Sequence, residues 1–343
     1  MEDPQMTDAL TALLARRDWL LLDGATGTNL FEMGLQSGEA PELWNLDAPE
    51  KIRALHDGFI EAGSDVILTN SFGGSRYRLK LHAAEDRAYE INRAAAAIAR
   101  GCADASPREI IVAGSVGPTG EILAPVGSLS EDDAAAAFAE QIRGLMDGGA
   151  DVIWAETISS EEEMRAVHRA AAGLGAPFCG TLSFDTAGRT MMGVTSEGYA
   201  ALAAGLAPQP IAIGANCGTG APDLLRTVLG ITAAAPERVV IAKGNAGIPK
   251  YVDGHIHYDG TPELMADYAR LARDAGARLI GGCCGTKPEH LRAMRAALEA
   301  HVPGARPGLE AITARVGGFT SASDGTGDDE GAEGRTRRRR RRG

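Results

Sequence analysis

A chain of 343 residues with 44% hydrophobic residues is long enough to bury a large core, and α/β barrels of this length form single domains. The formal net charge of -12 argues against general binding of nucleic acid or phospholipid surfaces by the folded part. No apolar run approaches the roughly 20 residues of a membrane span, and the N-terminal segment does not have the pattern of a signal peptide. We therefore expect a cytoplasmic protein with no membrane partner.

Eight short apolar runs with the character of strands recur along the chain. They cover residues 19–27, 65–74, 109–120, 151–159, 177–185, 211–220, 239–247 and 278–286. Stretches of helical period, rich in Ala, Leu and Arg, lie between them, and this alternation indicates parallel strands with right-handed crossovers. Eight such units predict an α/β fold, a (β/α)8 TIM-type barrel. A doubly wound open sheet is the structural alternative.

Two of the helical stretches begin with a capping signal. A serine precedes acidic residues in SEDDAAAAF (130–138) and in SSEEEMRAV (159–167). The serine hydroxyl can accept a hydrogen bond from a free N–H group, and acidic residues in the first turn suit the helix dipole. The pattern predicts helices that begin directly after each serine.

The composition changes at about Gly317. The segment 317–343 has almost no apolar residues and contains an acidic block followed by a run of arginines. Such a segment cannot bury enough apolar surface to order itself. We therefore expect one barrel domain over residues 1–316 and a disordered, solvated tail over 317–343. The alternative is a basic arm for RNA, a membrane or an acidic partner.

Polar residues concentrate at the carboxyl ends of the predicted strands. These positions are Asp23, Thr69, Asn70, Ser71, Ser115, Glu156, Asn216, Cys217, Lys243, Asn245, Cys283 and Cys284. In a (β/α)8 barrel all these ends lie on the face that carries the active site. We therefore expect the functional residues of the protein at this face.

Three of the five cysteines fall at two of these strand ends. Cys217 ends the sixth predicted strand, and the adjacent Cys283 and Cys284 end the eighth, with one strand between them. Three thiolates suit Zn²⁺ and leave a fourth position open, as in catalytic zinc sites. An odd number of cysteines in a reducing compartment favours metal binding or chemistry over disulfides. The alternative is an ordinary buried thiol, which is the role we expect for Cys102 and Cys179.

The motifs along the chain resemble a known family. DGATGTNL, TNSF, GSVGPTGE, AET, GANCGTG and GGCCGT occur in this order, within roughly residues 15–300. They are similar to the homocysteine S-methyltransferase family, whose members share a zinc-dependent, homocysteine-binding (β/α)8 barrel. GLQSGEAPELWN, SFDTAGRTMMG and GNAGIPKYVDGHIHYDGTP most resemble stand-alone bacterial betaine–homocysteine methyltransferases.

The resemblance implies a zinc centre. Cys217, Cys283 and Cys284 would hold Zn²⁺, and homocysteine would supply its sulfur as the fourth ligand. A free thiol has a pKa of about 8.5, and only the thiolate is a good nucleophile, so metal binding would activate homocysteine. Its sulfur would then attack a methyl group on a positively charged nitrogen or sulfur, and positioning of both reactants would supply much of the rate gain.

The resemblance also implies a binding site for the amino-acid part of homocysteine. Asp23 and Glu156 match the family's acids for the substrate ammonium. Gly24 and Thr69 match positions whose backbone or hydroxyl contacts the amino acid. Asn216, beside the first cysteine, would orient the site or fill the open zinc position before homocysteine binds.

The methyl donor would be recognised through aromatic side chains. A quaternary ammonium is normally held by aromatic faces through cation–π attraction. Phe72 is at a matching position in TNSF, but the animal betaine enzymes place a tyrosine next, where this chain has Gly73. The donor-pocket tryptophan of those enzymes precedes a Pro-Glu pair, whereas Trp44 follows one. Trp44 and Tyr77 are therefore candidate cage residues without a match to the family pattern.

Two further motifs invite functional interpretations. His255 and His257 in GHIHYDG have a spacing that could suit a metal, although a lid over the substrate is the interpretation that we favour. GSVGPTGE (114–121) lacks the Lys-Ser/Thr ending of a P-loop, so we expect a rigid active-site turn.

The sequence therefore predicts a zinc-dependent methyl transfer to homocysteine that yields methionine. Glycine betaine, giving dimethylglycine, is the preferred donor. The alternatives are an S-methylmethionine or dimethylsulfonio donor, or the homocysteine module of a corrinoid-dependent system with a separate partner. A different class is a zinc-binding or RNA-associated protein that kept the barrel without the chemistry. The patterns leave a homo-oligomer open.

Overall fold

The computed structural model describes residues 8–247, 250–252 and 255–325. Its strands are β1 (Leu20–Leu21), β2 (Val66–Leu68), β3 (Ile111–Val116), β4 (Val152–Ile158), β5 (Phe178–Leu182), β6 (Ala212–Cys217), β7 (Val239–Gly244), β8 (Lys250–Val252), β9 (His255–His257) and β10 (Ala277–Gly282). Eight of them form one parallel sheet, and β8 and β9 form a separate hairpin.

Helices follow the strands of the large sheet. The helices of the first half are α1 (Ala9–Arg16), α2 (Thr26–Glu32), α3 (Trp44–Asp47), α4 (Pro49–Ala62), α5 (Arg76–Leu79), α6 (Ala88–Ala105) and α7 (Glu131–Asp147). Those of the second half are α8 (Glu161–Gly173), α9 (Ser196–Gly205), α10 (Ala221–Ala234), α11 (Pro262–Asp274), α12 (Pro288–Glu299) and α13 (Leu309–Val316). Among the described helices, none is long and apolar enough to cross a membrane.

The large sheet closes on itself. Its strand order is β1-β10-β7-β6-β5-β4-β3-β2, with parallel pairing throughout. A parallel bridge between Leu22 and Val66 joins the first and last strands, and Asp65 N donates to Leu21 O at 2.7 Å across the same seam. The predicted (β/α)8 barrel is therefore confirmed, and the open sheet is excluded.

Both predicted capping signals operate. Ser130 Oγ accepts a hydrogen bond from the backbone N–H of Asp133 at the start of α7. Ser160 Oγ accepts one from the backbone N–H of Glu163 at the start of α8. Each bond satisfies one N–H group that the first helical turn leaves free, so the sequence signal and the observed helix start agree.

Residues that face the barrel interior change from apolar to polar toward the carboxyl ends of the strands. On β4, Val152 and Trp154 belong to the interior cluster, and Glu156 follows with the same period of two. On β7, Lys243 follows Ile241 in the same way. The same alternation places Ser115 on β3, Thr181 on β5 and Asn216 on β6. Because alternate side chains of a strand face the same side, a polar layer forms above the apolar one.

The amino-terminal end of the barrel is covered by α1. Leu10, Leu13 and Leu14 pack in the same cluster as the inward-facing strand residues. Arg16 forms a salt bridge of 2.8 Å with Glu109, which precedes β3, so α1 lies at the end of the barrel opposite the cysteines. The apolar stripe of this helix explains its docking.

The chain continues to contact the barrel beyond the predicted domain boundary at residue 316. Thr320 donates to Asp223 Oδ2 through its backbone N–H and its hydroxyl, at 3.0 and 2.8 Å. The ring of Phe319 lies 4.8 Å from the guanidinium of Arg226 on α10. Asp223 and Arg226 already form a buried ion pair, and this pair offers polar partners that the composition of the tail does not reveal. Residues 326–343 lie outside the described residues.

An antiparallel hairpin follows β7, where the sequence predicts a loop. Lys250 pairs with His257 and Tyr251 with Ile256. The side chains of His255 and His257 lie outside the described part of the chain, so both the lid and the metal interpretation of this motif stay predictions.

Candidate metal centre and active site

Cys217, Cys283 and Cys284 come together at the carboxyl ends of β6 and β10. Their sulfur atoms all lie within 4.8 Å of one another, and Cys217 Sγ is 3.9 Å from Cys284 Sγ. Three sulfurs that bind one Zn²⁺ at about 2.3 Å in a tetrahedron are about 3.8 Å apart. The donor set and its spacing therefore fit a metal ion with one coordination position open to a ligand.

The proximity of the three thiols disfavours their ionisation without a cation. Hydrogen bonding with Cys283, together with burial, raises the pKa of Cys217 to about 12. Hydrogen bonding with Cys217, together with burial, raises the pKa of Cys284 to about 11. A bound dication would offset the repulsion between three thiolates, because metal ions deprotonate the thiols that coordinate them.

The other two cysteines lie away from this cluster. Cys102 is buried on α6, where burial raises its pKa to about 12. Cys179 is buried in the barrel interior, where burial raises its pKa well above the ordinary value. Both environments favour the neutral thiol, in agreement with the predicted structural role.

The glycines around the cysteine pair make the close approach of strand ends possible. A Cβ atom on Gly281 would lie 2.5 Å from Leu22 Cβ, and one on Gly282 would collide with the side chain of Thr286. Cys217 has a φ of 60°, in the left-handed region that non-glycine residues rarely adopt. The backbone at both strand ends is thus shaped so that the sulfur atoms converge.

Asn245, directly after β7, links the two cysteine segments. Its Oδ1 accepts a hydrogen bond from the backbone N–H of Cys284 at 3.1 Å, and its Nδ2 donates to Gly218 O at 2.9 Å. The side chain therefore holds the loop after β6 against the loop after β10. The sequence places this asparagine at a strand end but does not reveal the link.

Asn216 lies behind the cysteine cluster. Its Oδ1 accepts from Thr157 N at 2.8 Å and from Thr181 Oγ1 at 2.6 Å, while its Nδ2 lies 3.8 Å from Cys283 Sγ. The amide oxygen is held by two donors and the nitrogen faces the sulfur. This geometry favours the predicted orienting role over the predicted role of filling the zinc position, since an N–H group cannot ligate a metal.

Asp23 is held by protein donors on both oxygens. Its Oδ1 accepts from Lys243 Nζ at 2.8 Å, and its Oδ2 accepts from the backbone N–H of Leu68 at 2.7 Å. Burial opposes the charge of Lys243, but Asp23 and Glu156 raise the pKa of this lysine above its ordinary value, so it stays protonated. Sequence reasoning placed Lys243 at a strand end without a role, although a lysine inside the apolar run VVIAKG was a signal for a buried partner.

Glu156 presents one carboxylate oxygen to the cavity. Its Oε1 accepts from Ser115 Oγ at 2.5 Å. In the described residues, the other oxygen has no hydrogen-bond partner. Burial raises the pKa of this carboxyl above its usual range, and the positive charge of Lys243 opposes that shift.

A cavity of about 260 Å³ opens at the carboxyl end of the barrel and joins these groups. The predicted site residues that line it are Gly24, Thr69, Phe72, Glu156, Cys217, Cys283 and Cys284. Gly24 allows a close backbone approach, because a Cβ there would lie 2.7 Å from Thr286 O. The hydroxyl of Thr69 accepts from Ser115 N at 3.0 Å and lies 2.6 Å from Ser71 Oγ. Asp23 and Asn216 lie behind this lining, where they position other side chains.

The predicted aromatic cage is not assembled around the cavity. Phe72 lines it and is 36% exposed. Trp44 packs against the core, and Lys51 Nζ lies 4.1 Å from the centre of its ring. Tyr77 also packs against the core rather than lining the cavity. Of the three aromatic candidates, Phe72 alone faces the ligand space.

A buried carboxylate explains why glycine follows Phe72. Gly73 N donates to Glu42 Oε1 at 2.6 Å, and a Cβ atom on Gly73 would lie 2.8 Å from that oxygen. The tyrosine that the animal betaine enzymes carry at this position would therefore displace Glu42. Glu42 itself lines the cavity, and nothing in the sequence pattern around it indicated this position.

The GSVGPTGE segment forms an anchored turn. Thr119 donates to Glu163 Oε1 through its backbone N–H at 2.8 Å and through its hydroxyl at 2.7 Å. Glu163 is buried on α8, so the turn is tied to the barrel in the way expected of a rigid active-site loop.

Comparison with known proteins places this architecture in a family. The homocysteine S-methyltransferase family model matches residues 20–298. The homocysteine methyltransferase MmuM from Escherichia coli, in its oxidized form, is 28% identical with a TM-score of 0.68, over 84% of this chain and 98% of that chain. Its metallated form is 27% identical with a TM-score of 0.68, over 84% and 99%.

The matched region contains the whole barrel, the three clustered cysteines and both buried acids. It covers far more than half of the chain, and the similar structures extend over nearly the full length of the E. coli enzyme. The chain therefore belongs to the homocysteine S-methyltransferase family.

Proposed function

We propose that the protein transfers a methyl group from a small onium donor to the sulfur of homocysteine and produces methionine. Membership of the family supports methyl transfer to homocysteine. The observation that carries the proposal is the convergence of three thiols and a cavity-facing carboxylate in one cavity. The thiols supply a metal site for a substrate sulfur, and Glu156 supplies a partner for a substrate ammonium.

The resident metal in this proposal is Zn²⁺, held by Cys217, Cys283 and Cys284. When bound, it supplies a lowered pKa for a coordinated thiol, which makes homocysteine a nucleophile at neutral pH. The protein keeps the cysteines in register through Asn245 and Asn216. The residues of the cavity thereby fix the acceptor sulfur relative to the donor methyl group, and this positioning lowers the barrier to transfer.

The donor would be held on the side of the cavity formed by Phe72 and Glu42. An aromatic face and a nearby carboxylate both attract a positively charged methyl-bearing centre. Glycine betaine is our first candidate because of the resemblance to bacterial betaine enzymes. A sulfonium donor such as S-methylmethionine is the second, because Phe72 is the single aromatic side chain of the described residues that lines the cavity, where a quaternary ammonium would normally find several.

The test is methyl transfer by the zinc-loaded protein, with betaine and sulfonium donors compared side by side. We expect methionine to form with at least one onium donor and to be accompanied by dimethylglycine if betaine reacts. Cys283→Ala should abolish turnover, whereas the matched control Cys102→Ser should retain it, because Cys102 lies outside the cluster. One equivalent of bound zinc without methionine from any free donor would overturn the proposal and favour a corrinoid partner.

Deletion of the C-terminal residues distinguishes an enzyme from a binder that acts through its arginine run. The deletion should begin at residue 326, because Phe319 and Thr320 contact the barrel. We expect the shortened protein to keep its turnover. Loss of all activity with an unchanged zinc content would argue for the tail as the functional part.

A further inference from the structure

We propose that Lys243 and Glu156 form an opposite-charge pair that recognises the zwitterionic end of the methyl acceptor, with the carboxylate on Lys243 and the ammonium on Glu156. Asp23, which the family resemblance assigns to the ammonium, instead positions Lys243. The inference rests on the proposed function for the identity of the acceptor. Beyond that function, it names the residues that distinguish a thiol carrying an amino-acid group from other thiols.

The contacts of Asp23 make it a positioning residue. Each of its oxygens already accepts a hydrogen bond, one from Lys243 Nζ and one from the backbone of Leu68. It is 1% exposed and lies behind the lining of the cavity. Lys243, which Asp23 holds, does line the cavity, so Asp23 acts on a ligand there through the lysine.

Lys243 lines the cavity and has free donor capacity. An ammonium group carries three N–H donors, and in the part of the chain that the structure describes Asp23 is the only hydrogen-bond partner of Nζ. The side chain is 3% exposed and lines the cavity. Buried polar groups are almost always hydrogen-bonded, so the remaining N–H donors of Lys243 are available to an acceptor on a ligand that enters the cavity.

Glu156 is the complement of Lys243. It belongs to the same polar layer of the barrel, and its second oxygen has no partner within the described residues. A zwitterion brings a group of opposite charge to each of these two side chains without changing the total charge of the cavity. Pairing a buried charge avoids the large penalty of leaving it alone in a medium of low polarity.

The cysteine cluster completes the recognition of the acceptor. Cys217, Cys283 and Cys284 line the same cavity as Lys243 and Glu156. A ligand that satisfies all three groups needs a thiol, an ammonium and a carboxylate in one small molecule. An α-amino acid with a short thiol side chain has this composition. A thiol that lacks one of the two charges offers no opposite charge to Lys243 or to Glu156.

The test measures binding of three thiols to the zinc-loaded full-length protein by calorimetry. The thiols are homocysteine, 3-aminopropanethiol, which lacks the carboxylate, and 4-mercaptobutanoate, which lacks the ammonium. We expect Lys243→Met to weaken the binding of homocysteine and of 4-mercaptobutanoate by about 10- to 100-fold. The binding of 3-aminopropanethiol should stay unchanged. Glu156→Gln should show the reverse selectivity.

Asp23→Asn decides between the two roles of this residue. If Asp23 is a positioning residue, Asp23→Asn should show the pattern of Lys243→Met and weaken binding of the thiols that carry a carboxylate. Weakening of 3-aminopropanethiol by Asp23→Asn, as by Glu156→Gln, would overturn the assignment. If Lys243→Met weakened the binding of all three thiols equally, the role of the lysine would be merely structural. That result would also overturn the assignment.

A double variant controls for folding. Lys243→Met leaves Asp23 as a buried unpaired charge, so Lys243→Met with Asp23→Asn removes both charges together and should give the same selectivity in a stable protein. Binding does not require a methyl donor. Failure of homocysteine to bind the wild-type protein would therefore sink the proposed function, whereas binding without charge-specific losses would sink only this inference.

Discussion

Cys217 Sγ lies 3.9 Å from Cys284 Sγ, although the two residues are 67 positions apart in the chain. The backbone of each strand end is constrained to bring this about. Cys217 adopts a left-handed φ, and glycines precede and follow the cysteine pair. This relationship is the basis of the proposed metal site, and its consequences can be measured without a methyl donor.

Loss of one thiol should abolish tight metal binding. We expect the wild-type protein to bind one equivalent of zinc and Cys284→Ser to bind it more than about 100-fold more weakly, because loss of a direct ligand exceeds the effect of an outer-shell partner. Competition with a chromogenic chelator measures both affinities. Cys102→Ser is the control and should match the wild type. Equal zinc affinity of Cys284→Ser and the wild type would show that the cluster is not the metal site.

Removal of the Asn245 amide should weaken the metal site without removing a ligand. Asn245→Ala loses the bonds to Cys284 N and Gly218 O, so the two cysteine segments are no longer held together. We expect a 10- to 100-fold loss of zinc affinity, the usual effect of an outer-shell partner, measured by the same competition. Asn245→Asp keeps the acceptor for Cys284 N. Its zinc affinity should therefore lie between that of the wild type and that of Asn245→Ala. An Asn245→Ala variant with wild-type affinity would contradict the role of this link.

A methyl group at residue 73 should impair the donor side of the cavity alone. The new Cβ in Gly73→Ala would lie 2.8 Å from Glu42 Oε1, so the carboxylate must move. We expect the KM of the donor to rise about tenfold, which lies within the range of overpacking effects, and the Kd of homocysteine to stay unchanged. Gly58→Ala is the matched control, since its Cβ would meet no atom closer than 3.7 Å. A rise in the homocysteine Kd instead would place Glu42 on the acceptor side.

A buried histidine should make the fold sensitive to acid. Both ring nitrogens of His56 are buried without a hydrogen-bond partner in the described residues, and burial lowers its pKa to about 4. Between pH 6.5 and pH 4 the unfolded chain therefore binds a proton that the folded protein does not. Stability falls as the pH drops through this window, by about 3 kcal/mol in total from this residue.

The His56 contribution can be isolated by substitution. His56→Leu removes the titrating group and an unsatisfied buried polar ring, so we expect equal or higher stability at pH 7 and a weaker loss of stability toward pH 4. Urea unfolding at pH 7, 5.5 and 4.5 measures how the free energy of unfolding changes with pH in the wild type and in His56→Leu. Parallel pH profiles for the variant and the wild type would show that other groups control the acid sensitivity.

The strand pattern was predictable because it depends on local chemistry. The eight apolar runs contain the eight strands of the barrel to within one residue, and the serine caps at Ser130 and Ser160 begin α7 and α8 as expected. The period of two along each strand then carries polar residues such as Glu156 to the carboxyl end. Placement of the cysteines at the ends of β6 and β10 followed from the same alternation.

The lateral relations between side chains were not predictable in this way. Trp44 and Tyr77 have the right residue types for an aromatic cage, but the helices after β1 and β2 pack them against the core. Glu42 contributes to the cavity because its chain segment folds back over Gly73. Such contacts depend on how long connections cross the barrel rim, which no local pattern encodes.

The sequence by itself determined the barrel, the face that carries the site and the three thiols, because strand alternation and strand ends are periodic, local features. The tertiary structure decided which charges meet. Lys243 and Asp23 are 220 positions apart and form a buried ion pair because β1 and β7 both pair with β10, which brings their carboxyl ends to the same layer. The partner of a buried charge is set by that strand pairing, and so is the chemistry that the charge can offer to a ligand.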